Sequence, residues 1–183
     1  MSPALTAREQ ATLLEVAREA IGARLTHRPA VYPPATESLE QMHGAFVTLR
    51  VDGNLRGCIG HITACRPLVE TVKEAAVSSA FSDPRFPPLS PSEWPRVTIE
   101  ISVLSPFTPA EASSIRVGEH GLMIRSGYHS GLLLPQVATE YGWDRETFLG
   151  HACRKAGLPP DAWRGPGVTI ETFTAVVFHE PQE

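Results

Sequence analysis

The stretch GAFVTLRVDGNLRGCIGHI, residues 44–62, carries the clearest local fold signal in the chain. Two apolar-rich runs, 44–51 and 55–62, flank the turn sequence DGN, a pattern typical of a β-hairpin. The second run also holds a thiol, a guanidinium, an imidazole and two glycines within seven residues. The hairpin is therefore predicted to belong to a sheet and to carry a candidate site.

Helices and a further strand are predicted around the hairpin. Thr6 and Glu9 form the Ser/Thr-x-x-Glu pattern of a capping box, which predicts a helix over residues 7–25. Pro67 suits the first turn of a second helix. Residues 97–104 alternate apolar and polar side chains, which is typical of a strand with one buried face.

The C-terminal part is predicted to combine short strands with helices. Its predicted elements are short strands within 114–134, helices over 135–141 and from Asp144 to about Ala156, and a last strand over 168–178. Hairpin-linked strands with little β-α-β alternation favour an α+β fold with an antiparallel sheet and flanking helices.

The composition narrows the class of protein. The chain has 183 residues and a net charge of −4, which suits one domain or one domain with an inserted lobe. Because Lys and Arg are not clustered, we expect no nucleic-acid partner. No run approaches the roughly 20 apolar residues of a membrane span, so no membrane association is expected. Three cysteines without a regular framework are typical of reduced thiols in the cytoplasm.

Strand alternation predicts which side chains of residues 55–61 share a face. In a regular strand the odd-numbered residues face the core, and Arg56, Cys58 and Gly60 share the other face. Arg56 would then favour the reactive thiolate of Cys58, the candidate nucleophile. Gly57 and Gly60 would let a ligand approach the backbone. The alternative is that Cys58 is a small buried hydrophobic residue.

Four further residues are candidates for the same site. Glu100 lies on the polar face of the strand over 97–104, where it is a general base or is only solvated. Asp83 and Arg85 lie in a proline-rich loop, where they hold a substrate carboxylate or phosphate, or form a helix cap and an ion pair. His120, in a Gly-flanked turn, lines the site or is an exposed loop histidine.

His61 is the remaining catalytic candidate. As a base for Cys58 it would need a bulge at Gly60, because in a regular strand the two side chains face opposite ways. Cys58, His61 and Cys65 also offer three soft ligands, but their spacing fits no zinc motif and no fourth ligand is evident. We therefore predict no metal and no cofactor.

The motif LRGCIG at residues 55–60 resembles the six-residue signature of the AMMECR family, known in prokaryotes as AmmeMemoRadiSam system protein A. The likeness extends over most of the chain, roughly residues 46–178. It includes the segments AFVTL (45–49), DPRF (83–86), VLS (103–105), HGL (120–122), LLPQV (133–137), GWD (142–144) and KAGL (155–158).

The resemblance implies one AMMECR-type domain over residues 1–183, with two unequal lobes and a cleft between them. The larger lobe would hold both termini and an antiparallel sheet, and the smaller lobe would be inserted. Memo-like and radical-SAM proteins are the implied partners, but no reaction is implied. Two functions stay open: a cysteine-dependent small-molecule enzyme or enzyme subunit with its site around residues 55–60, and a non-catalytic binding or adaptor module.

Overall fold

The computed structural model describes residues 3–181, and these form two units. One comprises residues 3–104 together with 176–181, and the other comprises Ser105–Ala175. Each unit has a hydrophobic core and a four-stranded antiparallel sheet, which confirms the predicted α+β class. The predicted placement of both chain ends in one lobe falls on residues 1–2 and 182–183, which lie outside the described part.

The first unit packs two helices against one face of its sheet. Its elements are α1 (Ala7–Leu25), β1 (Ala45–Val51), β2 (Asn54–His61), α2 (Leu68–Phe81), β3 (Val97–Leu104) and β8 (Ala175–His179). The strands lie in the order β2-β1-β3-β8, and β1 is antiparallel to β2 and β3. The core lies between the helices and the apolar side of the sheet, where Leu13, Val72, Val47 and Ile101 are fully buried.

The helix predicted over residues 7–25 is confirmed as α1, and its capping box is formed. Glu9 N–H donates to Thr6 Oγ1 over 3.3 Å, and Thr6 N–H donates to Glu9 Oε2 over 2.9 Å. The side chain of each residue thus satisfies a backbone donor of the other. The second helix, α2, begins directly after Pro67, as that proline predicts.

The predicted hairpin is also confirmed. Asp52 and Gly53, between β1 and β2, both have positive φ, at 51° and 80°. Positive φ at both central residues belongs to the two-residue turns that match the twist of paired strands, and an Asp-Gly pair adopts it readily.

The hairpin carries a β-bulge that the alternation of its side chains does not reveal. Leu49 pairs with Gly57 but Arg50 pairs with Leu55, so Arg56 is an extra residue in β2. Leu55 therefore loses its predicted place toward the core and is 37% exposed. From Gly57 onward the predicted alternation holds.

The second unit has a separate core formed by its sheet and helices. Its elements are β4 (Thr108–Pro109), β5 (Gly121–Ser126), β6 (His129–Leu133), α3 (Pro135–Glu140), α4 (Arg145–Lys155) and β7 (Thr169–Phe173), with strand order β4-β7-β5-β6. Both predicted helices are confirmed. Asp144 caps α4 by accepting the N–H of Thr147 over 2.7 Å, and Gly157 follows that helix with φ at 77°.

The single last strand predicted over residues 168–178 is wrong. The segment divides at Thr174 into β7 and β8, which belong to different sheets. Two hydrogen bonds hold the division: Ser105 N–H donates to Thr174 O, and Thr174 N–H donates to Ser105 Oγ, both over 2.9 Å. No glycine or proline lies within residues 168–178, so the alternation of side chains there predicts one continuous strand.

None of the helices within residues 3–181 combines the length and the apolar character needed to cross a membrane.

Candidate functional site

Strand β2 is an edge strand, and α2 packs closely against it at Gly57. A Cβ atom on Gly57 would lie 2.1 Å from the backbone oxygen of Ser79, so only glycine admits the helix here. The buried Ser79 hydroxyl accepts the N–H of Ile59 over 2.8 Å and donates to Val47 O over 2.7 Å. Gly57 is thus explained by helix–strand packing.

Gly60 is likewise explained by packing, in this case against a ring. A Cβ atom on Gly60 would lie 2.3 Å from Ala45 O and 2.5 Å from the Phe46 side chain. Phe46 pairs directly with Gly60 across the hairpin. The space over the backbone that the sequence predicts at Gly60 is therefore filled by the Phe46 ring.

Four residues form what we call the Cys58 centre: Cys58, Thr48, Asp83 and Arg85. Cys58 is half-buried in β2, and Thr48 lies directly opposite it in β1. The Thr48 hydroxyl donates to Cys58 Sγ over 3.3 Å. Thr48 is itself only 6% exposed, so this donor is held in place next to the sulfur.

Asp83 joins the backbone of Cys58 to the side chain of Arg85. Its carboxylate is 4% exposed and accepts the Cys58 N–H over 3.0 Å, together with Arg85 Nε over 3.0 Å and Arg85 Nη2 over 2.8 Å. The Arg85 hydrogen bonds and the Cys58 N–H hold the pKa of Asp83 well below its usual range, although burial opposes them. Asp83 is therefore a buried carboxylate that stays ionised.

Arg85 supplies the positive charge of the centre. Its side chain is 53% exposed, and its Nη2 lies 3.5 Å from the carbonyl oxygen of Cys58. Hydrogen bonds to Asp83 raise the pKa of Arg85, and the charges of Asp83 and of a Cys58 thiolate add to that effect. Thr48 thus contacts the sulfur of Cys58 and Arg85 its carbonyl oxygen, while part of the guanidinium faces solvent.

Arg56, the arginine expected to act on the thiol, is bound elsewhere. Its Nε and Nη2 donate to the two carboxylate oxygens of Glu93 over 2.7 and 3.2 Å. The Arg56 hydrogen bonds, with those from Ser90, lower the pKa of Glu93 to about 2. Arg56 is 9% exposed. Its role in this geometry is to tie the bulge of β2 to the loop that follows α2.

His61 and Glu100 lie on opposite faces of the sheet. His61 shares the face of Ile59 and places Nε2 3.3 Å from Glu74 Oε1 on α2, away from the Cys58 side chain. Pairing is regular from Gly57 to His61, so the bulge needed at Gly60 for a Cys58–His61 dyad is not formed. Glu100 pairs with Thr48 on the Cys58 face. It lies two strands from Cys58, about 10 Å away at the usual strand spacing.

His120 and Cys65 are the remaining sequence candidates. His120 belongs to the Ser105–Ala175 unit, where its Nδ1 accepts the N–H of Arg116 over 3.2 Å. Cys153 is fully buried in the core of the same unit, and burial raises its pKa. Cys65 is exposed. Within residues 3–181, no three His, Cys, Asp or Glu side chains cluster closely enough to hold a metal ion.

Sequence reasoning missed Thr48, Ser79 and Glu93. Glu93 had a detectable signal, because Ser90 and Glu93 repeat the Ser-x-x-Glu pattern, and Ser90 N–H does donate to Glu93 Oε2 over 2.9 Å. Thr48 and Ser79 had none. A threonine in a strand and a serine in a helix acquire their roles only when the sheet and α2 come together.

The comparisons with known proteins agree with this fold. A protein from Methanothermobacter thermautotrophicus is 46% identical over 94% of both chains. Protein MK0488 from Methanopyrus kandleri is 46% identical over 100% of this chain and 93% of its own. The crystal structure of the uncharacterized protein PH0010 from Pyrococcus horikoshii superimposes with a TM-score of 0.89 at 40% identity, covering 96% of this chain and 93% of that one. Since the AMMECR1 family model also matches residues 14–178, this chain belongs to the AMMECR1 family.

Proposed function

We propose that the protein is a small-molecule enzyme or enzyme subunit in which Cys58 is the nucleophile and Arg85 binds an anionic group of the substrate. One observation carries the proposal: Asp83 holds the Arg85 guanidinium at the backbone of Cys58 while about half of the arginine side chain stays exposed. A fixed, accessible guanidinium at the backbone of the candidate nucleophile suits a substrate with a carboxylate or phosphate.

The proposed chemistry follows from the contacts of the sulfur. In the proposed reaction Cys58 acts as the thiolate, with the Thr48 hydroxyl donating a hydrogen bond to Sγ and the charge of Arg85 acting on the sulfur. The thiolate then adds to a carbonyl carbon of the substrate: the S–C bond forms as the C=O π bond breaks, and the carbonyl oxygen takes the electron pair, while Arg85 positions the anionic group. Glu100, on the same sheet face, is the proposed acceptor of the thiol proton through intervening water. The free thiols are consistent with a cytoplasmic site.

Two alkylating reagents that differ only in charge test the proposal. In a Cys65→Ser background, rate constants at Cys58 are measured with anionic iodoacetate and neutral iodoacetamide, and each adduct is assigned by peptide mass spectrometry. Arg85 favours the anionic reagent, so Arg85→Gln should lower the iodoacetate-to-iodoacetamide rate ratio by about fivefold, the effect of roughly 1 kcal/mol of charge pairing. Arg85→Lys, which keeps the charge, should restore much of the ratio.

Arg125→Gln is the matched control for this experiment. Arg125 is also a half-exposed arginine paired with one carboxylate, that of Glu171 in the second sheet, at 2.8 Å. Its loss should leave the rate ratio at Cys58 unchanged. An unchanged ratio in Arg85→Gln, or equal effects of the two variants, would rule out Arg85 as the docking cation.

The alternative is a binding module that works with Memo-like and radical-SAM proteins. The half-exposed Arg85 guanidinium beside the Phe86 ring, 5.5 Å from its centroid, would then contact a partner surface. Co-purification of Memo-like or radical-SAM partners that is lost in Arg85→Gln but kept in Cys58→Ser favours this function. Conversion of a metabolite by the wild type that is lost in Cys58→Ser favours the enzyme.

A further inference from the structure

A groove in the Ser105–Ala175 unit lies apart in sequence from the Cys58 centre and has a different chemistry. One wall is a face of α4, and the other is the segment 160–164, which includes a 3₁₀ turn at Ala162–Arg164. We call it the α4 groove. Its volume is about 320 Å³, which falls at the lower end of the range for small-molecule sites.

The two walls are held at a close and fixed separation. A Cβ atom on Gly150 of α4 would lie 3.3 Å from Pro160 O, so glycine lets the segment approach the helix. Arg164 Nη2 also donates to Glu146 Oε2 over 2.9 Å, and the Arg164 guanidinium lies 4.5 Å above the Trp163 ring. The groove is therefore a formed feature of this unit.

A stack of three rings ends at the α4 groove. Trp143 stacks on His151 with ring centroids 3.8 Å apart and an angle of 4° between planes, and Tyr141 stacks on Trp143 at 5.0 Å and 15°. His151, the terminal ring, lines the groove. Its imidazole is thereby fixed in orientation, and a flat ligand ring can extend the stack.

The α4 groove also offers one cation and one anion that the rest of the unit leaves unused. Arg154 and Asp161 both line it and are both exposed. Among residues 3–181, neither side chain has a hydrogen bond or an ion pair. By contrast, Arg164 and Glu146 satisfy each other.

From this combination we infer that the α4 groove binds a nucleoside monophosphate. The base stacks against His151, and the phosphate pairs with Arg154, whose planar guanidinium suits phosphate oxygens. Asp161 accepts hydrogen bonds from the ribose hydroxyls, as an acidic side chain does in dinucleotide sites. A ring, an anion and a pair of hydroxyls match the His151 ring, the Arg154 guanidinium and the Asp161 carboxylate.

Isothermal titration with adenosine 5′-monophosphate tests the inference. We expect a Kd of about 1 mM or tighter, and at least about tenfold weaker binding of adenosine and of ribose 5-phosphate, because each lacks one of the recognised groups. Arg154→Gln should weaken the monophosphate about tenfold and leave adenosine unchanged. Asp161→Asn should weaken the monophosphate and adenosine alike.

Lys155→Gln is the matched control. Lys155 occupies the same last turn of α4 as Arg154, and so has the same favourable interaction with the helix dipole, but it does not line the α4 groove. The Lys155→Gln variant should bind adenosine 5′-monophosphate with the same affinity as the wild type. The inference is overturned by no binding up to about 10 mM, by equal losses in Lys155→Gln and Arg154→Gln, or by tighter binding of free tryptophan than of the monophosphate.

Discussion

Strand β2 is one edge of the first sheet and β6 is one edge of the second, and a helix backbone approaches each of them at a glycine. In β2 a Cβ on Gly57 would lie 2.1 Å from Ser79 O, and in β6 a Cβ on Gly131 would lie 2.4 Å from Ala156 N. The next residue is Cys58 in β2 but the buried Leu132 in β6. A glycine that admits a helix is thus a packing device in both strands, and a cysteine follows it in β2.

A side chain from the loop after α2 binds one of the backbone N–H groups of β2. In β2, the N–H of Cys58 is bound by the carboxylate of Asp83, which brings Arg85 with it. The glycines and the cysteine of the LRGCIG motif therefore differ in what they do. Its glycines serve packing, and its cysteine carries the chemistry that we propose.

The largest expected effect concerns the shared packing device. Gly57→Ala and Gly131→Ala should each lower the free energy of unfolding by about 3 kcal/mol, because the added methyl group meets backbone atoms that cannot rotate away. Urea unfolding, followed by both fluorescence and circular dichroism, measures the loss. In the control Gly165→Ala, the new Cβ would lie 3.5 Å from Ala162 O, an ordinary contact, so stability should change little. If Gly57→Ala or Gly131→Ala left the free energy of unfolding unchanged, the two glycines would not share this packing role.

The second largest effect concerns Asp83, whose carboxylate accepts the backbone N–H of Cys58 in β2. Asp83→Asn should lower the free energy of unfolding by about 2 kcal/mol near neutral pH, since it removes the charge that the Cys58 N–H and Arg85 share. Because the folded-state pKa of Asp83 is depressed, its stabilisation is complete above the unfolded value of about 3.9 and is lost as the pH falls through the folded pKa. The variant and the wild type should therefore converge in acid.

Urea unfolding between about pH 2 and pH 7 measures this convergence. Asp52→Asn is the control, because the Asp52–Arg96 pair is more than half exposed on both sides. Its removal should cost less than about 1 kcal/mol. A pH-independent difference between wild type and Asp83→Asn would show that lost packing, and not lost charge, causes the destabilisation.

The smallest effect concerns the donor to the sulfur. Thr48→Val keeps the shape of the side chain but removes the hydroxyl that donates to Cys58 Sγ. In the Cys65→Ser background, the rate of Cys58 alkylation by iodoacetamide at neutral pH should fall about threefold, as expected for one weak hydrogen bond to a thiolate. Thr98→Val, at an exposed threonine of β3, should leave the rate as it is. Equal rates in Thr48→Val and wild type would remove Thr48 from the Cys58 centre.

Local signals predicted much of the fold. The capping box at Thr6 and Glu9, the Asp52-Gly53 turn and the Asp144 cap act over a few residues, so the elements they begin or connect appear as expected. The candidate site is located by the same kind of signal, because the residues of LRGCIG are contiguous. Asp83 and Arg85 were recognisable as a pair, since they are two residues apart in one loop.

The sequence by itself determined the α+β class, the hairpin and the presence of a cysteine on its second strand. Only the tertiary structure decided which arginine lies at that cysteine. The bulge at Arg56 turns that guanidinium to Glu93, and the loop after α2 brings Arg85 to Cys58 instead. Alternation along a strand depends on the nearest neighbours in the chain. A bulge and a docked loop depend on contacts between residues more than 20 positions apart, which no local pattern contains.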